Sequence, residues 1–168
     1  MIRRESAIEL PGGDDCAFCD YLSGRRPYTV LWREDQVAVL VTREQRGIGH
    51  LLVLPNRHVP SLLHLFDGEA EAMMVAVRDA AITIDSAHKR PGVAVWQNNG
   101  VAAHQAIPHL HFHVAGTLPG GGTDFGDVPE LSVDATDVVG QRLASFVPHR
   151  PHSGRRVNSE LANQTLPE

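Results

Sequence analysis

Hydrophobic and polar residues alternate along the chain with two different periods, and the pattern predicts a mixed α+β domain. Five short runs, rich in apolar residues and bounded by turn residues, predict β-strands: 30–32, 36–41, 50–54, 93–97 and 109–115. The third run is apolar after its first residue, which is typical of a strand that is buried on both faces. Because strands precede and follow one long helix, the order favours an antiparallel sheet.

The longest predicted helix spans residues 68–88, where apolar side chains recur at helical spacing. Its apolar stripe consists of Ala70, Met73, Met74, Val77, Ala81 and Ile84. Asp67 is the expected N-cap, and the segment 89–92, with two basic residues, proline and glycine, is expected to end the helix. A stripe of this kind normally packs against the core or against a second subunit. Shorter helices are predicted at 16–24 and 134–146.

The two ends of the chain lack these patterns, and this sets the expected domain boundaries. Residues 1–13 end in Pro-Gly-Gly and are predicted to form a loose leader. Residues 148–168 are polar and are predicted to form a mobile tail. The folded domain is therefore expected to span residues 14–147. Within it, the glycine-rich segment 117–127 lacks the lysine and hydroxyl residue of a phosphate-binding P-loop, so we expect a flexible loop.

The composition excludes some classes of function. The formal net charge is −5 and the pI is about 6.0, so the chain lacks the overall basic field of a non-specific nucleic-acid-binding protein. No run approaches the roughly 18 consecutive apolar residues of a membrane-spanning helix. We therefore expect a cytoplasmic protein that binds neither nucleic acid nor a membrane. In that compartment Cys16 and Cys19 are expected to stay reduced, and their Cys-x-x-Cys spacing favours metal binding or redox chemistry.

Three of the ten histidines, His109, His111 and His113, alternate with apolar residues. In a strand, this spacing places the imidazoles on one face, about 6.5–7 Å apart, and the apolar side chains on the other. A polar face that is histidine by coincidence is the weaker explanation, because any polar residue would serve there. Metal sites of the cupin or metallo-β-lactamase kind are also less favoured, because residues 114–117 contain neither the expected glutamate nor an Asp-His pair.

Segment 109–115 resembles the signature of the histidine triad (HIT) family, in which three histidines alternate with apolar residues. Segment 49–58 is similar to the family's second block, and the Asn-Asn-Gly at 98–100 and Gln105 stand at the family's usual distances before the triad. The resemblance covers about residues 14–117. It implies an HIT-like antiparallel sheet of about five strands, with one long helix and short helices, in a subunit that forms a homodimer.

The resemblance implies a catalytic role for three histidines. His111 would attack the α-phosphorus of a purine nucleotide and form a nucleotidyl-histidine intermediate, which divides one difficult displacement into two easier ones. His113, partly protonated, would bind phosphoryl oxygens, and His50 would support the same cluster. Asn98 and Gln105 would bind the phosphate or the bridging oxygen.

The resemblance also implies a structural zinc site. Family members with an early Cys-x-x-Cys bind zinc, and the corresponding ligands here are Cys16, Cys19, His58 and His109. This is a Cys₂His₂ set of the kind that holds zinc in a closed tetrahedron. The alternative is a pair of buried, reduced cysteines and a surface histidine. In the zinc interpretation, the metal would attach the first helix to the histidine strand.

Three positions depart from the family pattern and leave the substrate open. Thr42 stands where many relatives have Asp or Asn for the ribose hydroxyls, Ala106 where many have Ser or Thr, and His104 where glycine is frequent. Thr42 and His104 are nevertheless expected to contact the substrate. The leading hypothesis is a hydrolase of nucleoside phosphoramidates, adenylates or dinucleoside polyphosphates. The alternatives are a nucleotide-binding regulatory protein with little turnover, and a nucleotidyltransferase or phosphorylase.

Overall fold

The computed structural model of the chain describes residues 6–13 and 15–162, which form an α+β fold. The helices and strands in chain order are α1 (Ala17–Leu22), β1 (Val30–Arg33), β2 (Val37–Val41), β3 (Ile48–Pro55), α2 (Asp67–His88), β4 (Val93–Gln97), β5 (Phe112–Gly116), α3 (Val133–Ala144), β6 (Arg156–Val157) and α4 (Ser159–Ala162). The strands form one sheet in the order β4-β5-β3-β2-β1-β6, and every neighbouring pair is antiparallel. The predicted antiparallel α+β class is confirmed, with a sixth strand that the sequence did not indicate.

The sheet buries both of its faces, which explains its continuous apolar runs. On one face, residues such as Val39, Val53 and Val114 pack with α2 and α3 in the larger core. On the other face, Leu40 and Leu52 pack with α1 in a smaller core. Strand β2 is buried at all five positions, because each of its side chains meets one core or the other. The smaller core is the one that borders the histidine site.

Helix α2 confirms the predicted long helix, although its N-cap and its buried face differ from the prediction. Phe66, rather than Asp67, is the N-cap, and the Glu69 carboxylate accepts a hydrogen bond from the Phe66 N–H at 3.0 Å. The helix ends at Lys89, which adopts a left-handed conformation with φ of 49°. Its buried apolar face consists of Met73, Ala76, Val77, Ala80 and Ile84, whereas Met74 is 56% exposed. Two residues of the buried face are alanines, which are only weakly hydrophobic. The sequence pattern therefore placed the apolar stripe closer to Met74 than the buried face of the helix lies.

The segment after Pro148 contains a strand and a short helix as far as residue 162, where the sequence led us to expect a mobile tail. Strand β6 pairs with β1 at the edge of the sheet, and Leu161 packs into the larger core. Arg155 forms a salt bridge with Glu34 and another with Asp79 at 2.9 Å. The sequence did not show this because the partners lie more than 70 residues away. Residues 163–168 of the predicted tail lie outside the described residues.

The predicted leader is described only for residues 6–13, which contain no helix or strand. The Glu9 carbonyl accepts a hydrogen bond from the Val101 N–H at 2.8 Å, so this segment contacts the loop after β4. Within residues 6–13 and 15–162, no helix has both the length and the apolar character that crossing a bilayer requires.

Candidate active site

The histidine row lies at the start of β5 and in the extended residues before it. The strand was predicted from residue 109 but begins at Phe112, because the Leu110 N–H donates to the Val59 carbonyl at 2.6 Å instead of joining the ladder with β3. The predicted alternation is nevertheless present, since Leu110 and Val114 are fully buried while the His111 and His113 rings lie 4.9 Å apart. The row therefore presents its imidazoles to the side of α1.

His111 has one ring nitrogen held by the backbone and the other available. Its Nδ1 lies 2.8 Å from the His109 carbonyl, so Nδ1 carries the proton and donates it. Burial lowers the pKa of His111, which keeps the ring neutral near pH 7. The ring lines a cleft of about 580 Å³. A neutral imidazole with a free Nε2 lone pair in a cleft has the electronic form of a nucleophile.

His113 and His50 form a directly coupled pair. The His50 Nε2 lies 3.1 Å from the His113 Nδ1, and the His50 Nδ1 lies 2.9 Å from the Glu44 carbonyl and 3.2 Å from the Arg46 N–H. Burial lowers the pKa of His50 to about 4 and, together with nearby histidines and Arg46, that of His113 to about 2. This lowered pKa favours a neutral His113, whereas a partly protonated ring was expected.

The two tautomers of this pair give His113 opposite hydrogen-bonding roles. When His50 donates to the Glu44 carbonyl, His113 donates to His50 and its own Nε2 becomes an acceptor. When His50 accepts from the Arg46 N–H, His50 donates to His113 and the His113 Nε2 becomes a donor. A change of tautomer in both rings of the pair thus converts the cleft-lining ring from acceptor to donor.

The rest of the cleft contains several of the predicted substrate contacts. One end is aromatic: Phe18 lies edge-on to His111 at 4.9 Å, and the Tyr21 and Tyr28 rings stack at 4.1 Å. Thr42 lines the cleft beside this end, with its hydroxyl 3.5 Å from the Tyr28 hydroxyl.

The loop after β4 supplies two further predicted contacts. Asn98 lines the cleft, and its amide nitrogen donates to the Ala103 carbonyl, which closes the loop. His104 also lines the cleft, is exposed, and has a φ of 63°. This left-handed conformation is one that glycine adopts without strain, so the backbone here keeps the form of a glycine position while it carries an imidazole.

Gln105 does not lie in the cleft, contrary to its predicted role. It is 4% exposed, and its side-chain oxygen accepts from the Gly100 N–H at 2.7 Å. Its nitrogen donates to the Pro60 and Ile107 carbonyls at 2.8 and 2.9 Å. Because the amide is fully engaged by the backbone, the structure places Gln105 as a support for the loop rather than as a contact for a ligand.

The four predicted metal ligands converge at the N-terminus of α1. The distance from Nδ1 of His109 to the Cys16 sulfur is 3.4 Å and to the Cys19 sulfur 3.6 Å, and the His58 Nδ1 lies 3.4 Å from the Cys19 sulfur. The four donor atoms all lie within 4.8 Å of one another. Zinc–sulfur and zinc–nitrogen bonds of about 2.3 and 2.0 Å give tetrahedron edges of about 3.5 Å, so the spacing fits such an ion.

Protonation also fits a metal-binding role for this cluster. The Nε2 of His109 lies 2.9 Å from the Pro55 carbonyl, so it donates there and leaves the Nδ1 lone pair directed at the sulfurs. Burial lowers the pKa of His109 to about 4, and burial together with Cys16 raises the pKa of Cys19 to about 11. A bound cation would oppose this rise, because it stabilises the thiolate over the thiol. The ring of His109 thus lies in the cysteine–histidine cluster, whereas its carbonyl orients the ring of His111.

None of the phenylalanine, tyrosine and tryptophan residues of the cleft was predicted from the sequence, and two of them, Trp96 and Phe125, lie beside His113. Trp96 on β4 lies opposite His113 in the sheet, and the two rings stack in parallel at 4.7 Å. Phe125 contacts Trp96 at 5.6 Å. Trp96 could have been found, because it lies two residues before Asn98 and strand periodicity puts both on one face. Phe125 gave no signal, since it comes from the glycine-rich loop.

Comparison with known proteins relates the whole fold to one family. A family model described as the HIT domain matches residues 23–119. The chain is similar to Protein hit of Bacillus subtilis, with 28% identity over 141 residues that cover 79% of this chain and 97% of that protein. It is also similar to adenylylsulfatase HINT3 of Arabidopsis thaliana, with 30% identity over 101 residues, 60% of this chain and 51% of that protein. A solved Zn-bound histidine triad family protein from Mycobacterium smegmatis aligns with a TM-score of 0.68 and 22% identity, covering 81% of this chain and 95% of that chain.

Proposed function

The chain belongs to the HIT domain family, and on this premise we propose that it is a nucleotide hydrolase. Its substrate is a purine nucleotide whose α-phosphate carries an amine, an acyl group or a further phosphate chain, and cleavage proceeds through a nucleotidyl group on His111. The observation that carries the proposal is the hydrogen bond from the His111 Nδ1 to the His109 carbonyl at 2.8 Å, because it leaves Nε2 free to attack. The relatedness to adenylylsulfatase HINT3, named for hydrolysis of an adenylate, supports the reaction class.

The reaction has two displacements at phosphorus. In the first, the His111 Nε2 forms a bond to the α-phosphorus while the bond to the leaving group breaks, and the leaving atom takes up a proton from solvent. In the second, water attacks the phosphorus, the bond to His111 breaks so that Nε2 regains its lone pair, and the water loses a proton to solvent. Because burial keeps His111 neutral at rest, no proton has to be removed from Nε2 before attack.

His113 and His50 assist both displacements in this proposal. With His50 accepting from the Arg46 N–H, the His113 Nε2–H donates to a phosphoryl oxygen as negative charge develops there. Asn98, Thr42 and His104 line the same cleft and supply polar contacts to the phosphate and sugar.

We further propose that Cys16, Cys19, His58 and His109 hold a structural zinc ion. Four protein ligands complete a tetrahedron and leave no position for water, so the ion would supply rigidity and not activation of a reactant. The Zn-bound family member from Mycobacterium smegmatis supports the identity of the metal. A cytoplasmic location, where the thiols stay reduced, is part of this proposal.

A homodimer is the assembly that this fold supports best. Strand β4 is an edge of the sheet, and Val95 on it is 47% exposed, so both backbone hydrogen-bonding groups and an apolar side chain are available to a second copy. Sedimentation at low micromolar concentration tests this, and a monomer under those conditions would contradict it.

The decisive experiment for the reaction varies the leaving group on an adenylate and follows its release. We expect hydrolysis by the wild-type protein and a loss of at least about a thousandfold in kcat with His111→Ala, because the covalent route is then closed. Retained activity in His111→Ala would overturn the mechanism. Turnover that requires inorganic phosphate and yields a nucleoside diphosphate would identify a phosphorylase instead.

A further inference from the structure

Aromatic rings line both ends of the cleft, and we propose that the end formed by Trp96 and Phe125 binds an aromatic ring of the leaving group. The inference rests on the proposed function, because only a substrate that is cleaved at His111 has a leaving group. It narrows the substrate class to nucleotides that carry a second ring beyond the α-phosphate. That ring is either the aryl group of an amine or a second nucleobase.

The position of the two rings relative to the nucleophile supports this assignment. Three consecutive ring contacts lead from His111 to Phe125: His111 to His113 at 4.9 Å, His113 to Trp96 at 4.7 Å, and Trp96 to Phe125 at 5.6 Å. A leaving group displaced from a nucleotide at His111 would therefore pass beside His113 toward these rings. The other end of the cleft, with Tyr21 and Tyr28, is then free to take the base of the nucleotide that is transferred.

The exposure of Phe125 indicates a surface that a ligand completes. Its side chain is 71% exposed although it lies in the wall of a cleft. The Trp96 ring covers His113 in parallel and meets Phe125 at 65°, so the two rings form an open corner. A planar ring in that corner would stack on one aromatic side chain and meet the edge of the other, which is the arrangement that aromatic groups favour.

The backbone around Phe125 is held in place, so its exposure is not that of an unattached loop. The Asp124 N–H donates to the Arg46 carbonyl at 2.7 Å. The Arg46 guanidinium in turn donates to the carbonyls of Asp124 at 3.1 Å and Gly126 at 2.9 Å. These bonds anchor the residues on both sides of Phe125. The segment lies beyond residues 23–119, so it is an addition to the part that matches the family model.

The first test measures binding without turnover. The His111→Ala protein is titrated by calorimetry with two adenosine 5′-phosphoramidates, one of 2-phenylethylamine and one of 2-cyclohexylethylamine, which differ only in the planarity of the ring. We expect the phenyl compound to bind about two- to tenfold more tightly. Adding Phe125→Leu removes the aromatic ring but keeps an apolar side chain of similar volume. The two compounds should then have nearly equal dissociation constants. If His111→Ala does not fold, His111→Asn serves the same purpose.

The control is Phe66→Leu, which removes a phenylalanine of similar exposure, 68%, that lies outside the cleft. It should leave the ratio of dissociation constants unchanged. A preference that survives Phe125→Leu would overturn the ring site, and so would equal binding of these two compounds combined with equal binding of the two nucleotides in the second comparison below.

A second arm distinguishes the two sources of the ring. Diadenosine tetraphosphate is compared with adenosine 5′-tetraphosphate, which lacks the second nucleobase, in the same proteins. A preference that depends on Phe125 in this pair assigns the site to a nucleobase, and one in the phosphoramidate pair alone assigns it to an aryl amine. No such preference in either pair overturns the proposal. Preferential binding by a wild-type protein that cleaves none of these compounds would instead contradict the proposed function and leave the ring site standing.

Discussion

At the scale of single residues, backbone groups orient the histidines of the site. The Pro55 carbonyl accepts a hydrogen bond from the Nε2–H of His109, and the His109 carbonyl accepts one from the Nδ1–H of His111. The Nδ1 of His50 either donates to the Glu44 carbonyl at 2.9 Å or accepts from the Arg46 N–H at 3.2 Å. Each of these bonds decides which nitrogen is left for a metal, a phosphorus atom or the next histidine. The chemistry of the site is therefore set as much by loop and strand backbone as by the imidazoles.

The neutral pair His50–His113 predicts a loss of stability in acid. Burial holds the pKa of His50 at about 4 and that of His113 at about 2, below the ordinary 6.5. Between about pH 6.5 and 4 the unfolded chain therefore binds protons at these positions and the native chain does not. The free energy of unfolding then falls as the pH falls, by up to about 1.4 kcal/mol per pH unit for each group.

Urea unfolding between pH 7 and 5 measures this slope. His50→Gln should make the pH dependence shallower, because it removes one group that the unfolded chain can protonate. The control is His104→Gln, which removes an exposed imidazole outside the pair. Equal slopes in the wild-type protein and His50→Gln would contradict the prediction.

The sequence predicted site residues only where they recur at a regular spacing or stand in a short motif. The triad spacing and the Cys-x-x-Cys motif brought together residues that the structure does place side by side, such as His109 with Cys16. Gln105 was misplaced because a glutamine that supports a loop and one that binds phosphate look alike in a sequence. His113 was assigned a charge because burial, which removes it, depends on contacts with distant strands.

At the scale of elements, the proposed zinc ion would compensate for the shortness of α1. This helix has six residues, too few to be stable by itself, and its N-cap is Cys16, whose sulfur accepts from the Cys19 N–H at 3.4 Å. Cys16 and Cys19 lie beside His109, just before β5. An ion bound there would join the helix that carries Phe18 and Tyr21 to the strand that carries His113.

Removing the metal should loosen this junction selectively. Treatment of the purified protein with a chelator is expected to increase amide hydrogen exchange in residues 17–22 and 107–111, while α2 keeps its protection because its contacts do not involve the cluster. Cys16→Ser should lower the zinc content and produce the same exchange pattern, although serine preserves the N-cap. A protein without stoichiometric zinc, or with unchanged exchange in both segments, would contradict the structural role.

Most elements could be predicted from the sequence because their hydrophobic periods are local. Strands β1 to β4 and helices α2 and α3 agree with the predicted runs to within two residues. Strand β6 could not be predicted, since its two residues carry no period and form a strand only by pairing with Trp32 and Arg33. The start of β5 could not be predicted either. The strand begins where its hydrogen bonds to the neighbouring strands begin, which is later than the point where histidines and apolar residues begin to alternate.

At the scale of the whole molecule, a buried ionic network attaches the C-terminal segment to the domain. Asp79 on α2 is fully buried, and its carboxylate accepts from Arg150 at 2.6 Å and Arg155 at 2.9 Å. Arg155 also pairs with Glu34 and lies over the Trp32 ring at 4.9 Å. One side chain thus neutralises two acids from different parts of the chain.

Arg155→Met should destabilise the domain by about 3 kcal/mol, because it leaves buried carboxylates with fewer partners. Chemical denaturation provides the measurement. Arg156→Met is the matched control: it makes the same change at the next residue, which is exposed, and should alter the free energy of unfolding by less than about 0.5 kcal/mol. Similar effects of the two substitutions would mean that the C-terminal segment is not held by this network.

The same C-terminal segment also limits how copies of this chain can add to one another. A six-stranded sheet has two outer strands, and within the described residues these are β4 and β6. Strand β6 offers only two residues, with α4 directly after it, whereas β4 offers five. Growth of a sheet from chain to chain needs two usable edges on each copy. When each copy has only one usable edge, pairing occupies that edge on both copies. The assembly therefore ends as a closed pair and cannot continue into a filament.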